Sequence, residues 1–176
     1  QHLPGIGQDP RGCYLMAYLL DANVFIQAKN LHYGMDFCPA FWEWLLDANR
    51  KEKVFSVESV GDELQGIADD LSDWAGNLDD GFFLKPEAPL LPALAQVSTW
   101  ATGENYEPAA VNTFLQAADY YLVGHGLAYG DTVVTHEVAS GSKKKIKIPD
   151  ACISLGVKFM SPFTMLRRER ARFVLP

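Results

Sequence analysis

A chain of 176 residues can build one domain with its own core, and 48% hydrophobic with 21% charged residues is an ordinary globular composition. Twenty-two Asp and Glu against fifteen Lys and Arg give a net charge of -7, which argues against a surface that coats nucleic acid indiscriminately. It leaves room for a local basic patch or a carboxylate-rich site. No apolar run approaches the roughly 18 residues of a membrane span. The three cysteines, Cys13, Cys38 and Cys152, have no C-x-x-C spacing, so they suggest small core residues in a reducing cytoplasm rather than a disulfide framework or zinc knuckle.

Residues 1–15 are rich in Gly and Pro and lack the basic start and long apolar core of a signal peptide. They read as an N-terminal extension, with a single domain over 16–176. The apolar run 17–20 predicts a strand buried on both faces, as in a parallel sheet, ending abruptly at Asp21. Helical spacing follows over 36–49, with Pro39 in its first turn and Phe41, Trp42 and Trp44 as core or dimer contacts. Residues 53–57 suggest a short strand, with Ser56 as an N-cap of the next helix.

Apolar residues at 57, 60, 64, 67, 71, 74 and 78 predict one long helix. On its wheel Glu63 falls roughly 70° from the centre of the apolar stripe, at a border shared with Asp70. Asp62, Asp69 and Asp73 lie on the opposite, solvated face, so Glu63 is the acid placed to reach inward. A second strand is expected at 81–84 and helices near 89–101 and 108–129, with Asp119 at the border of the last one's buried face. The β-branched run 131–135 is a strand after the Gly130 stop. Beyond it come a basic loop over 140–147, a short helix opened by Pro149 and Asp150, a last strand over 157–160, and a basic helical tail over 162–172. Strands alternating with helices imply an α/β fold whose central parallel sheet is covered on both sides.

Ligands in such sheets bind outside the carboxyl ends of the strands. Asp21 and Glu137 follow strands, and Glu63 and Asp119 come from helix borders that can face the same mouth. Asp150 opens a helix just past the basic loop. Carboxylates gathered in one cleft repel one another and raise each other's pKa, so a cluster of this kind calls for a cation. All-oxygen ligation favours Mg2+ or Mn2+. Lys143, Lys144, Lys145 and Lys147 beside it could hold phosphates or form a merely solvated loop. His125 and His136 are not spaced as a metal pair, and Arg167 to Arg172 read as a solvated or partner-facing helix.

The segment Leu19-Leu20-Asp21-Ala22-Asn23-Val24-Phe25 resembles the opening motif of PIN domains, in which an aspartate ends the first strand and Asn or Ser follows two residues later. Glu63 is similar to that family's helical glutamate, Asp119-Tyr120-Tyr121-Leu122 to its third acid, and Thr135-His136-Glu137 to its Thr-x-Asp/Asn element. More closely, LLDANVFIQAKN, ADYYLVGHG and VVTHEV…KIPDAC resemble a PIN-like subfamily (DUF4411-like) related to VapC-type toxins. The likeness extends over about 16–166, and its strength lies in the order and spacing of short motifs. It implies a Rossmann-like three-layer PIN fold and an endoribonuclease using Mg2+ or Mn2+ to polarise the scissile phosphate and help generate hydroxide from water. Asp21 and Asp119 would be direct ligands, Glu63 a ligand or nucleophile-orienting group, and Asn23 and Thr135 supports. The fourth acid is Glu137 or Asp150. The resemblance further implies the toxin of a type II toxin–antitoxin system, held by a small antitoxin and often dimeric. The alternatives are a catalytically silent PIN-fold module that binds RNA or protein, and a HAD-type phosphohydrolase. The latter needs a second aspartate where this chain has Asn23.

Overall fold

The structure, a computed structural model, describes residues 16–176; the predicted extension 1–15 lies outside the described residues. Its centre is β1 (Tyr18–Leu20), flanked by β2 (Val54–Val57) and β4 (Thr132–Val134). Outside these lie β3 (Phe83–Leu84) and β5 (Phe159–Met160), in the order β3-β2-β1-β4-β5 with every pair parallel. Leu19, Leu20, Val54, Val133 and Val134 are fully buried, which explains their unbroken apolar pattern: each central strand is covered on both faces.

The helices are α1 (Ala22–Gln27), running into a π-helical turn (Ala28–His32), then α2 (Pro39–Arg50), α3 (Glu58–Gln65) and α4 (Asp70–Gly76). A 3-10 turn (Ala88–Leu90) leads into α5 (Leu91–Gly103), followed by α6 (Pro108–Gln116), α7 (Ala118–Tyr129), α8 (Ile148–Leu155) and α9 (Pro162–Arg168). Helix α7 packs on β1, β2 and β4 and is itself covered by α5 and α6. Three-layer, Rossmann-like α/β architecture is thus observed as expected. No helix among the described residues is long and apolar enough to cross a membrane.

Several expected elements differ in ways that matter for the site. The helix predicted over 57–78 is two helices. Gly66 closes α3, and extended Asp69 starts α4 by accepting the Ser72 N–H at 3.0 Å while pairing with Lys29 at 2.6 Å. Ile67, counted in the apolar stripe, is 44% exposed at this break. The helix predicted over 108–129 is also two, divided at Ala117, whose backbone is extended (φ -91°, ψ 161°). Ser56 is not a cap: it lies in β2, and its hydroxyl donates to the Leu20 carbonyl at 2.6 Å. The outer strands are two residues long, and the tail helix stops at Arg168. Trp42 and Phe41 are core residues, packed edge-to-face at 5.3 Å, with the Trp42 indole N–H donating to the Tyr33 carbonyl.

Candidate acidic site at the switch point

The chain runs outward from β1 through β2 to β3, then returns to add β4 on the other side of β1. This reversal opens a crevice at the carboxyl ends of β1 and β4, where open α/β sheets bind ligands. The register pairs Leu20 with Val134, so the next residues on each strand, Asp21 and Thr135, stand side by side. The Asp21 N–H extends the ladder to the Val134 carbonyl at 2.9 Å.

Thr135 is the hub of the crevice. Its hydroxyl donates to Asp21 Oδ2 at 2.8 Å and accepts from Asn23 Nδ2 at 3.2 Å and from the Glu137 N–H at 3.1 Å. Asn23 Oδ1 in turn accepts the His136 N–H at 3.2 Å. The Asn23 amide therefore ties the first turn after β1 to the loop after β4.

Four carboxylates surround this network. Asp21 is 5% exposed, and its pKa is pushed from 3.8 to about 7, chiefly by burial and then by the negative charges of Asp119 and Glu137, with the Thr135 hydrogen bond opposing. Asp119 sits in the first turn of α7 because of the break at Ala117. Its pKa rises to about 6 through burial and the charges of Glu137 and Glu63, with Lys145 opposing. Burial also raises the pKa of Glu63, on α3. Asp21 thus bears the charges of Asp119 and Glu137, and Asp119 those of Glu137 and Glu63.

The structure separates the two candidates for the fourth acid. Glu137 reaches the crevice, with Oε2 accepting the Ile148 N–H at 2.9 Å and Oε1 lying 3.9 Å from Lys145 Nζ. Asp150 turns outward instead, accepting the N–H groups of Ser140 and Gly141 at 3.3 Å each, and its charge bears on Tyr106. It organises the basic loop and stands outside the acidic cluster.

The lysines also part ways. Lys143 is committed to structure: Nζ donates to the Glu104 carbonyl at 2.8 Å and lies 4.5 Å above the Tyr106 ring. Lys145 leans toward Glu137, Lys147 precedes α8 as its N-cap, and Lys144 is exposed. His125 is buried in α7, and the His136 ring stacks on His32 at 5.7 Å and meets Phe163 at 5.6 Å, so both are packing residues. Sequence reasoning missed Ser56, whose hydroxyl braces the end of β1 beside Asp21. A serine inside a short apolar strand is the signal that could have shown it.

No group of three or more His, Cys, Asp and Glu side chains among the described residues is already drawn together as a metal-ligand cluster. The donor chemistry nevertheless suits a hard divalent cation. The acids are oxygen donors, Asp21 and Asp119 are desolvated enough to retain protons near neutrality, and a cation would relieve their repulsion.

No curated protein and no solved structure matches the chain. A family model does, over residues 18–173, a span that takes in every acid named above. The chain belongs to the family described as a domain of unknown function, DUF4411.

Proposed function

We propose that the protein is a PIN-like, Mg2+- or Mn2+-dependent endoribonuclease. The observation that carries this reading is the pair of buried carboxylates Asp21 and Asp119 at the β1/β4 switch point, with the charge of Glu137 bearing on both and that of Glu63 on Asp119. Asp21, Asp119 and Glu137 would hold the cation. Bound there, it would supply Lewis acidity toward a phosphodiester oxygen and acidify water. The chain's own residues do the rest. Thr135 holds Asp21 Oδ2 in place, and Asn23 fixes the loop that carries Glu137. Glu63, exposed on α3 yet coupled to Asp119, orients the attacking water or accepts its proton. Lys145 offsets part of the negative charge that would otherwise repel a phosphodiester.

Cleavage of RNA by wild type, Asp21→Asn and Asp119→Asn with added Mg2+ or Mn2+ tests the proposal. Wild type is expected to cleave and both variants to lose at least roughly 100-fold in rate. Equal activity in all three would sink the acidic-site assignment, and a cation-independent rate would sink the metal. Wild type that binds RNA without cutting it would identify a silent binding module.

The biological setting proposed is that of a toxin restrained by a small antitoxin presenting a basic residue to the acidic crevice, with a homodimer as the assembled form. A small adjacent gene whose product suppresses the nuclease supports this setting. Its absence points to housekeeping RNA processing.

A further inference from the structure

Beside Asp119 the fold leaves a cavity of about 270 Å3 between α6 and the basic loop. Ala110 and Thr113 of α6 line one side, Lys144, Lys145 and Ile146 the other, and Asp119 lines it as well. Its floor is apolar, formed by the edges of Phe114 and Ile146, each 3% exposed, and of Ala110, 6% exposed, which are otherwise covered by protein. Its volume falls just below the roughly 300–1,000 Å3 of typical small-molecule sites, which suits one flat ring better than an extended ligand.

The loop wall is held in place before any ligand arrives. Glu107 N–H donates to the Lys143 carbonyl at 2.9 Å, and the Lys143 ammonium is anchored on the Glu104 carbonyl and the Tyr106 ring. At the other end Ile146 is buried, and Glu137 accepts the Ile148 N–H. Between these anchors Lys144 carries its charge with no carboxylate partner among the described residues, while Lys143 and Lys145 are both engaged. A pre-ordered wall lowers the entropic cost of binding.

We propose that this cavity is a nucleotide subsite, taking the base of the RNA residue next to the scissile phosphate. The base is buried against Ala110, Phe114 and Ile146, the Thr113 hydroxyl meets its polar edge, and Lys144 meets the adjoining phosphate. The placement of the scissile phosphate rests on the nuclease reading, because Asp119 belongs to both cavity and crevice. The cavity makes base identity matter to a site whose acidic centre has no means of reading it.

The test measures binding of fluorescent single-stranded homo-oligoribonucleotides with Ca2+ in place of Mg2+ or Mn2+, so that affinity is read apart from turnover. Thr113→Trp fills the mouth from an exposed helical position, Thr113→Val removes only the hydroxyl, and Lys144→Ala removes only the charge. Thr113→Trp should weaken binding roughly ten- to a hundredfold, the loss expected for one stacked or buried base. Lys144→Ala should weaken all oligomers alike and reduce the slope of affinity on salt by about 1. Thr113→Val should change the ranking among the oligomers. Cooperative urea unfolding with an unchanged midpoint should be retained in all three, which separates lost binding from lost folding.

Wild-type affinity and ranking retained in Thr113→Trp and Lys144→Ala overturn the subsite while leaving the nuclease reading intact. Binding that depends on Thr113 and Lys144 in a wild type that cleaves no RNA supports the subsite and removes the nuclease. A wild type that binds no oligoribonucleotide overturns both.

Discussion

The Thr135 hydroxyl has one proton to give and two lone pairs to offer, and the structure uses all three, on Asp21, Asn23 and the Glu137 N–H. The residue is 2% exposed, so no solvent replaces a lost partner. Thr135→Val keeps the shape and strands all three groups. It is expected to cost about 1–3 kcal/mol of stability in urea unfolding and roughly 10–100-fold in nuclease kcat/KM. Thr135→Ser, which keeps the hydroxyl, should recover most of both; failure to do so would show that only packing was lost. The two acids flanking the basic loop make a second contrast. Glu137→Gln retains an oxygen for the Ile148 N–H but removes a charge from the crevice, and should abolish cation-dependent activity. Asp150→Asn should leave it within about threefold, because Asp150 faces the Ser140 and Gly141 amides. Parallel cation titrations of the two variants check this, and equal losses would return Asp150 to the site. Motif order alone made Asp21, Asn23 and Thr135 legible. The choice between Glu137 and Asp150 was not, because it depends on the path of a loop with no periodicity.

Residues 115–119 are good helix formers apart from Asp119, and local propensity predicts no break at Ala117. The break exists because α7 must run beneath α5 and α6 against the sheet, and its consequence is a first turn that delivers Asp119 to the crevice. Two glycines allow the approach. A Cβ on Gly124 would lie 2.6 Å from Leu94, and one on Gly126 would lie 2.6 Å from Val157 and 3.2 Å from the Asp131 carbonyl. Gly126→Ala therefore sets about 1 kcal/mol of helix propensity against about 1–3 kcal/mol of overpacking. Backbone cannot easily yield and valine is stiff at χ1, so the expected net is destabilisation by about 1 kcal/mol in urea unfolding. A stabilised variant would mean that α7 sits farther from β4 and β5.

Across the whole molecule, the acidic crevice couples stability to pH and to cations. Asp21 and Asp119 have folded pKa values of about 7 and about 6, above their ordinary 3.8. The folded state thus binds more protons than the unfolded state between about pH 4 and 7, and stability is lost as pH rises through that window. Tm without divalent cations should fall from pH 5 to pH 8 by about 4–8 °C, equivalent to on the order of 2 kcal/mol. Added Mg2+ or Mn2+ should restore it at pH 8 and do little at pH 5, where protons occupy the carboxylates. Asp21→Asn should flatten both responses in scanning fluorimetry. A pH response unchanged in Asp21→Asn would place its origin elsewhere. Cation-dependent activity should correspondingly rise as pH passes upward through 6 to 7.

By itself the sequence determined the alternation of buried strands and helices, the parallel sheet, and the acids that end or border its elements, because apolar periodicity and turn chemistry are local properties. The same grounds ranked Glu63 above Asp62 as the inward acid, whereas both are exposed on α3 and Glu63 differs in that its charge bears on Asp119. Tertiary structure decided the rest. Register set Asp21 beside Thr135, and the return of the chain across β1 opened the crevice. Helix packing cut the long predicted helix at Ala117 and moved Asp119 to a first turn, and the anchored loop turned Glu137 inward and Asp150 outward. Each of these depends on contacts between residues far apart in the chain, and such contacts leave no period in the sequence that a local pattern could detect.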